Sequence, residues 1–565
     1  MEEYKSYPVL LFDTRSIQRF IYTGNKLKTN VGASYLVSHI FDDELPHVLK
    51  ENNFTTDTQS WKTSLATEKL SQPQQALFAA NAGGSAMILF SEGTPQETLL
   101  KIVRDFSSSL LIKAPGLHIG AACGSIRLDA KHYKTDRSAL YEQLKRTQNR
   151  VFPEVNLPYT GLTLRCPINS ETANRYVAQK PLAGNQHFFS QESFLKIEKA
   201  AEANADLAER LGKDSPIVRQ FEFPLEIEDL GQVKYEKNYF AIVHIDGNNM
   251  GKKFQNHDET QQAFSHFSQQ VSAKTWQSFV RLLDSIADEY GHYLENHAAY
   301  RLDLGARASG QQKEKPYLPI RPIILGGDDV TFVCAASMAL TYTRRFMTYM
   351  MDPAIGNATE PDAQQIDCCA GIAILKTTYP FFRGYELAEQ LCDAAKKRMR
   401  AQDGPSCWLD FLLLHGEQAP TLEKILAQEY TSAAGAPGGL HFGPYRVNNT
   451  AAPNQPSAHY HDLDHLFRAV HELRHGGKDH HGCMAHSKAK ELRSALQHGP
   501  SAVHQFITQL RHLEQELPDV PAWKNFEDEA HALFIAGETP YVDAIEMMDF
   551  LPDASDTKEA TADEH

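Results

Sequence analysis

Two short apolar runs along the chain each end in an acidic residue. Residues 9–12 (VLLF) lead directly into Asp13, and residues 240–245 (FAIVHI) lead directly into Asp246. Apolar runs of this length, bounded by polar and turn-forming residues, are typical of buried β-strands. Each run therefore predicts a strand whose end delivers a carboxylate to the turn that follows.

The elements that follow these two strands have the same order. A Gly-Gly pair stands between apolar runs at residues 83–86 (GGSA) and again at 326–329 (GGDD), and each pair predicts a β-hairpin. A third apolar run follows each hairpin, at residues 117–122 and 369–374. Because the order, the type and the approximate spacing of the elements agree, we infer an internal repeat of two related α+β domains.

Helical patterns dominate the rest of the chain. One runs through Phe194 and Leu211, between the two copies of the repeat, and others begin after about residue 411, where the strand signals fade. We expect these later helices at about 462–476, 485–497, 501–516 and 524–536. The last residues, DASDTKEATADEH, are expected to form a disordered acidic tail.

Composition narrows the class of protein. The chain has 565 residues, of which 42% are hydrophobic and 10% aromatic, and this excludes a disordered or fibrous protein. A net charge of −15 argues against a nucleic-acid coat protein and against polybasic membrane binding. No apolar run approaches about 18 residues, the length of a membrane-spanning helix, and no secretory leader pattern is present. The eight cysteines lack the CxxC spacing of a zinc ribbon. We expect a cytoplasmic protein without a membrane contact.

The GGDD hairpin is the strongest candidate for a chemical site. In a ferredoxin-like palm, the hairpin that carries Asp328 and Asp329 pairs beside the strand that ends at Asp246. Three carboxylates gathered there raise one another's pKa unless a cation neutralises them. Two Mg²⁺ or Mn²⁺ ions suit such a site, because they can activate an attacking hydroxyl and stabilise a leaving phosphate. We predict that these residues are the metal ligands and catalytic residues of a nucleotidyl transferase or cyclase, although GGDD alone also fits a plain hairpin.

Two further features point to phosphate binding. The turn at Gly247, Asn248 and Asn249 is predicted to offer backbone N–H groups to triphosphate oxygens, although an ordinary strand-to-helix cap has the same residues. Lys396 lies near the end of a helical run and is a candidate phosphate ligand, although lysines at such positions are usually solvated.

Several segments carry a resemblance to a known family. Those in the second copy are HIDGNNMGKKF (244–254), LGGDDVTFVC (325–334), CCAGIAILKTTYPF (368–381) and ELAEQLCDAAKK (386–397). Together they resemble the catalytic palm of the large subunit of type III CRISPR effector complexes, a family related to the GGDEF diguanylate cyclases. Residues 12–37 and 79–90 are similar to the degenerate first palm of that family, so the resemblance covers roughly residues 8–411.

The resemblance implies an α+β fold with two ferredoxin-like palm domains, a helical connecting region and a helical C-terminal domain. The implied domains are a degenerate palm (1–165), the connecting region (166–232), a catalytic palm (233–410), the C-terminal domain (411–550) and the tail (551–565).

The resemblance also implies an activity, which is ATP-dependent synthesis of a cyclic oligoadenylate second messenger in antiviral defence. Asp246, Asp328 and Asp329 would then hold the metal ions, and Lys396 would touch phosphate. Gly326 and Gly327 would let the backbone approach the nucleotide. The implied partners are other effector subunits and guide and target RNA, with a homodimer as an alternative.

The sequence departs from the family in ways that limit the prediction. Ser85 and Ala86 stand where acidic residues would be, so we expect the first palm to bind at most an acceptor nucleotide. We expect no HD nuclease domain before Asp13, and the family's cysteine zinc module has no visible counterpart. Two other functions stay open: a nucleotide-binding scaffold or sensor without turnover, and a cyclic dinucleotide synthase that uses GTP.

A His-rich segment at 459–486 is a separate candidate for metal binding. Helical spacing would place His461 with His465, and His471 with His475, on common helix faces. The pairs His461-Asp462 and Asp479-His480-His481 suggest metal ligands. We favour the plainer interpretation, a polar helix face followed by a loop.

Overall fold

A computed structural model describes residues 5–62, 65–148, 158–178, 187–230, 239–296, 315–401, 406–416, 421–433, 438–447, 459–475, 484, 486–528 and 532–551. The predicted tail lies outside the described residues from 552 onward. Within them the fold is α+β, as predicted. No helix in these ranges combines the length and the apolar character that a membrane crossing requires.

The first copy of the repeat, here called the first palm, forms a five-stranded sheet. Its strands are β1 (Ser6–Arg15), β2 (Thr55–Asp57), β3 (Gln75–Ala82), β4 (Ser85–Phe90) and β5 (His118–Arg127). Its helices are α1 (Ile17–Tyr22), α2 (Leu27–His39), α3 (Leu45–Glu51), α4 (Gln96–Lys113) and α5 (Tyr133–Gln148). The spatial order β2-β3-β4-β1-β5, with β1 antiparallel to both of its neighbours, contains the ferredoxin-like arrangement.

Strand β1 is apolar on both sides because both faces of its sheet are covered. Leu10 and Phe12 lie in the main hydrophobic core, whereas Val9 and Leu11 pack on the opposite face, in a second cluster that includes Leu140 of α5. Burial on both faces accounts for a continuous apolar run in place of the alternation that a half-exposed strand shows.

The connecting region carries one long helix that packs closely on the first palm. Its elements are β6 (Arg175–Tyr176), β7 (Phe188–Phe189) and α6 (Gln191–Asp214). A Cβ atom added to Gly32 of α2 would lie 1.7 Å from the carbonyl oxygen of Lys196 in α6. The two helix backbones therefore meet where only glycine fits.

The second copy, here called the second palm, repeats this topology and extends it. Its strands are β8 (Tyr239–Gly247), β9 (Ile320–Gly326), β10 (Asp329–Ala335), β11 (Cys368–Lys376), β12 (Cys407–Leu413) and β13 (Tyr445–Val447). Its helices are α7 (Met250–Asn256), α8 (Gln261–Asn296), α9 (Ala339–Met351), α10 (Pro361–Gln364), α11 (Phe381–Arg400) and α12 (Leu422–Glu429). The order β13-β12-β11-β8-β10-β9 contains the same four-stranded core as the first sheet.

The sheet of the second palm continues past the predicted domain boundary. Strand β12 pairs with β11 in parallel and crosses residue 410, where the catalytic palm was predicted to end, and β13 adds a further strand. The C-terminal helices are α13 (Leu463–His475), α14 (His486–His498), α15 (Pro500–His512) and α16 (Tyr541–Met547).

Three of the four helices predicted in the C-terminal part are confirmed, and the fourth is wrong. In place of a helix at 524–536, the structure has a 3₁₀ turn at Pro521–Phe526. Ala532, Leu533 and Ala536 adopt positive φ angles, which a right-handed helix does not allow. The apolar residues of this segment are buried in an irregular loop.

The two palms pack directly on each other through aromatic side chains. Tyr22 of α1 stacks on Tyr385 of α11, with ring centroids 4.0 Å apart, and both residues are buried. Stacked aromatic pairs of this kind contribute about 0.5–1.5 kcal/mol beyond the area that they bury. The first palm is thereby attached close to the end of β8, where the candidate site lies.

Candidate nucleotide-transfer site

The three predicted carboxylates come together at one end of the second sheet. Strand β8 lies between β10 and β11, so Asp246 emerges beside the β9–β10 hairpin that carries Asp328 and Asp329. Asp328 approaches so closely that a Cβ atom on Gly247 would lie 2.9 Å from its Cβ. The glycine after Asp246 therefore makes room for a carboxylate from the neighbouring hairpin.

This crowding changes the acidity of the hairpin carboxyls. Burial, and then the charge of Asp246, raise the pKa of Asp328 to about 6. Burial and the charges of Asp246 and Asp328 raise the pKa of Asp329 to about 8. Although a third of the Asp329 side chain is exposed, its Oδ1 atom is buried and accepts no hydrogen bond from any described residue. Without a cation beside it, the carboxyl of Asp329 is therefore mostly protonated near pH 7.

Lys396 of α11 supplies one compensating charge. Its ammonium donates a hydrogen bond to Oδ2 of Asp246. Burial opposes the charged form, but this hydrogen bond and the charge of Asp246 raise the pKa of Lys396. The side chain thus points into the carboxylate cluster, and the alternative of a solvated lysine at a helix end is wrong.

The donor chemistry of the cluster fits divalent metal ions. Carboxylate oxygens are the ligands that Mg²⁺ prefers, and an unpartnered buried oxygen on Asp329 is suited to a cation. With Asp246 bonded to Lys396, the described residues contain no group of three or more His, Cys, Asp or Glu side chains placed to hold one ion. Metal binding at these residues stays a prediction.

The turn after Asp246 is anchored by its neighbours. The Asn248 N–H donates to the Asp367 carbonyl over 2.8 Å, and its side-chain amide donates to the Ser406 carbonyl over 3.3 Å. This N–H is therefore already hydrogen-bonded within the protein. Asn249 adopts a left-handed conformation, with φ of 56°, immediately before α7.

The glycines of the hairpin leave open space above the turn. Gly327 has a φ of 59°, a conformation that favours glycine. A Cβ atom at either Gly326 or Gly327 would meet no described atom within 4 Å. The backbone at this turn is therefore accessible, as the predicted approach of a nucleotide requires.

A family comparison places this site in a known domain. Residues 239–403 match the family model described as Cas10/Cmr2, second palm domain. This segment is similar to a Cas10/Cmr2 second palm. The predicted resemblance to the large subunit of type III CRISPR effector complexes is thereby confirmed for the second palm.

Solved structures with a similar chain path are more distant. Csm1 of T. onnurineus shares 14% identity at a TM-score of 0.49, and the match covers 98% of this chain and 71% of that chain. A Csm1–Csm4 cassette in complex with pppApApA shares 12% identity at a TM-score of 0.47, covering 96% of this chain and 69% of that chain. No curated protein sequence matches the chain. The resemblance to the family therefore rests on the match over residues 239–403.

One residue beside the carboxylates of the second palm was not predicted from the sequence. His244 is buried, and its Nδ1 atom lies 3.5 Å from Asp329 Oδ1 and 3.3 Å from Thr331 Oγ1. Burial lowers the pKa of His244 to about 4, so the ring is neutral near pH 7. A usable signal existed, because residues two apart on a strand share a face and His244 precedes Asp246 by two.

The first palm lacks the acidic hairpin, as its sequence predicts. Ser85 and Ala86 begin β4, and Ala86 is buried. The carboxylate of Asp13 is held by the side-chain amide of Gln148, which donates to Oδ2 over 2.6 Å. Asp13 corresponds in position to Asp246. Its carboxylate is thus already hydrogen-bonded within the first palm.

The His-rich segment packs as part of the protein interior where it is described. His461 precedes α13, so the predicted helix face shared with His465 does not form. The His461 ring stacks on Phe442 at 4.0 Å and bonds to Arg398, and burial lowers its pKa to about 3. His471 and His475 do lie together, with centroids 4.9 Å apart. Asp479, His480 and His481 lie outside the described residues.

Proposed function

We propose that this protein is an ATP-dependent nucleotidyl cyclase or polymerase of a type III CRISPR-like antiviral system, and that it makes a cyclic oligoadenylate second messenger. The observation that carries the proposal is the cluster of Asp246, Asp328 and Asp329 with Lys396 in a Cas10/Cmr2 palm. A scaffold that only holds nucleotide has no need to keep three carboxylates that repel one another.

The proposed reaction is repeated nucleotidyl transfer. A ribose hydroxyl of one ATP forms an ester bond to the α-phosphorus of a second ATP. The α–β phosphoanhydride bond breaks, pyrophosphate leaves, and the hydroxyl proton passes to solvent. The last transfer joins the two ends of the oligomer into a ring.

The residues of the second palm have distinct roles in this proposal. Asp246, Asp328 and Asp329 would hold two Mg²⁺ or Mn²⁺ ions, which supply Lewis-acid stabilisation of phosphoryl charge when bound. Lys396 neutralises phosphate charge, a role that its hydrogen bond to Asp246 supports. Gly326 and Gly327 admit the nucleotide, and the turn from Gly247 through Asn248 to Asn249 borders it.

The first palm would accept a nucleotide without activating it. Its hairpin carries Ser85 and Ala86 in place of carboxylates, and Asp13 is engaged by Gln148. We propose that the first palm presents the attacking ATP and that the second palm presents the ATP under attack. Other effector subunits and guide and target RNA are the proposed partners, with a homodimer as the alternative, in the cytoplasm.

The experiment that tests the proposal is mass spectrometry of reaction products. The purified chain, alone and with its effector subunits and target RNA, is incubated with each of the four nucleoside triphosphates and with Mg²⁺ or Mn²⁺. A variant carrying both Asp328→Asn and Asp329→Asn serves as the control. We expect a cyclic adenylate and pyrophosphate from the unaltered protein only.

Other results would overturn the proposal in different ways. A cyclic product from GTP alone would indicate a cyclic dinucleotide synthase. Binding of ATP without any product, in the complete complex with target RNA, would indicate a scaffold or sensor. Equal product from the double variant would show that the chemistry lies elsewhere.

A further inference from the structure

The edge strand of the second palm contains a β-bulge that the first palm holds in place. In the β9–β10 ladder, Ile324 pairs with Thr331 and Pro322 with Phe332, so Ile323 is an additional residue on β9. A bulge of this kind leaves a backbone group without its ladder partner. The carbonyl of Ile323 instead accepts a hydrogen bond from the hydroxyl of Ser34, which lies on α2 of the first palm.

The first palm has a matching bulge in the corresponding strand. In the β3–β4 ladder, Phe78 pairs with Ile88 and Ala80 with Met87, so Ala79 is the additional residue. Its carbonyl accepts hydrogen bonds from the Gln261 side-chain amide over 2.6 Å and from the Ser265 hydroxyl over 3.1 Å. Both donors are buried and lie on α8 of the second palm.

These contacts are reciprocal. Helices α2 and α8 occupy equivalent places in the repeat, because each lies between the first strand of its palm and the hairpin. Each helix donates from a serine to the bulge of the opposite palm. The two hairpins are thus cross-linked by buried or half-buried hydrogen bonds that follow the internal symmetry of the chain.

Helix α8 also contacts the turn that carries the carboxylates. The hydroxyl of Thr275, which is buried, donates to the carbonyl of Gly327 over 2.5 Å. The same helix therefore binds the bulge of the first palm at Ser265 and the GGDD turn at Thr275. Ser34 and Thr275 together hold the β9–β10 hairpin at two points, one from each palm: strand β9 at Ile323 and the turn at Gly327.

We propose that Ser34, Ser265 and Thr275 are positioning residues that set the GGDD hairpin at a fixed place relative to the first palm. This inference rests on the proposed function. Asp328 lies so near Gly247 that an added Cβ there would be 2.9 Å from its own Cβ, so a shift of the hairpin changes the spacing of the carboxylates directly. A displacement of about 1 Å at a reacting centre can lower the rate about 100-fold.

The first test is kinetic and uses variants that remove only a hydroxyl. Thr275→Val keeps the shape of the side chain, and Thr275→Ser restores the hydroxyl. We expect Thr275→Val to lower kcat by about 10-fold or more while KM for ATP changes by less than about twofold, as for the loss of one preorganised hydrogen bond near a reaction centre. Thr275→Ser is expected to recover most of the activity.

A matched control lies on the same helix. Ser278 is fully buried on α8, and its hydroxyl has no hydrogen-bond partner among the described residues. Ser278→Ala is therefore expected to leave kcat unchanged. Equal kcat in Thr275→Val and the unaltered protein, or a loss that Thr275→Ser does not recover, would overturn the assignment.

The second test does not depend on activity. Hydrogen–deuterium exchange is measured at residues 323–331 and at residues 79–86 in Ser34→Ala, Ser265→Ala and Ser278→Ala. We expect faster exchange at 323–331 in Ser34→Ala and at 79–86 in Ser265→Ala, with Ser278→Ala unchanged at both. Unaltered exchange in the first two variants would overturn the inference. Absence of any nucleotide product, with the expected exchange changes, would count against the proposed function alone.

Discussion

The ammonium of Lys396 on α11 donates a hydrogen bond to the carboxylate of Asp246 at the end of β8. The lysine and the aspartate are 150 residues apart in sequence. The pair lies beside Asp328 and Asp329, whose pKa values are raised to about 6 and about 8 by burial and by neighbouring negative charge. Lys396 is therefore a cation of the protein itself, held among carboxylates that otherwise repel one another.

Removal of this ammonium is expected to weaken nucleotide use. Charge-assisted hydrogen bonds contribute about 1.5–3 kcal/mol, which corresponds to roughly 10- to 100-fold in affinity or rate. We expect Lys396→Gln to lower kcat/KM for ATP by about that factor. The neighbouring exposed residue provides a control, since Lys397→Gln should leave kcat/KM unchanged. Equal effects of the two substitutions would show that Lys396 acts only through general charge.

A methyl group at Gly247 is expected to displace a carboxylate. The new Cβ would lie 2.9 Å from Cβ of Asp328 and would force the hairpin outward, at a cost of about 1–3 kcal/mol. We expect Gly247→Ala to abolish product formation while the protein stays folded. Gly251→Ala is the matched control, because its Cβ would meet no described atom within 4 Å. Full activity of Gly247→Ala would contradict the close packing of Asp328.

Divalent ions are expected to stabilise the protein through Asp329. A ligand at about 100 times its dissociation constant stabilises a folded protein by about 2.7 kcal/mol. We expect Mg²⁺ to raise the melting temperature of the unaltered protein and to have little effect on Asp329→Asn. The exposed carboxylate of Asp206 on α6 gives the control variant, Asp206→Asn, which should respond as the unaltered protein does. The same Mg²⁺ shift in all three proteins would exclude binding at the GGDD hairpin.

A buried histidine is expected to make stability depend on pH. His441 Nε2 lies 2.9 Å from Oδ1 of Asp410 on β12, and its Nδ1 lies 3.4 Å from Oδ1 of Asp543 on α16. Burial opposes the charged ring, but the two carboxylates outweigh it and raise the pKa of His441 well above its usual range. The protonated histidine therefore joins the second palm to the last helix.

The sign of this effect follows from the raised pKa. The contribution of His441 to stability is fully present below about pH 6.5, the ordinary pKa of histidine, and is lost as the pH rises through the higher folded value. We expect His441→Gln to destabilise the protein at pH 6 by about 3–5 kcal/mol, since it leaves two buried carboxylates without a counter-charge. Melting temperatures measured from pH 6 to 9 should fall more in the unaltered protein than in the variant. If the melting temperatures of the two proteins changed equally with pH, the assignment of a charged ring to His441 would be wrong.

Local pattern was sufficient to predict the repeat and the acidic cluster. A buried strand that ends in Asp246 and a Gly-Gly turn that carries Asp328 and Asp329 depend on residues adjacent in sequence, and strand and hairpin signals are local. The ferredoxin-like order then brings the two segments together, because the hairpin pairs beside the first strand.

One predicted helix was wrong, because the packing of the folded chain and not the local apolar pattern determines the backbone of that segment. The apolar residues of 524–536 have helical spacing, yet Ala532 and Leu533 adopt positive φ angles in a buried loop. The domain bounds stay a prediction, and strand β12 pairs with β11 across residue 410. The structure also shows a hydrogen bond that the sequence does not reveal, from the backbone N–H of Asn248 to the carbonyl of Asp367.

The sequence by itself determined which residues form the acidic cluster, because carboxylates, glycines and strand periodicity leave a signal within a few residues. Only the tertiary structure decided how the site is held. Ser34 and Thr275 are ordinary helix residues, and their partners are backbone carbonyls of Ile323 and Gly327, which have no side-chain identity to recognise. Such bonds depend on where one palm lies against the other, and the packing of two folded domains sets that geometry.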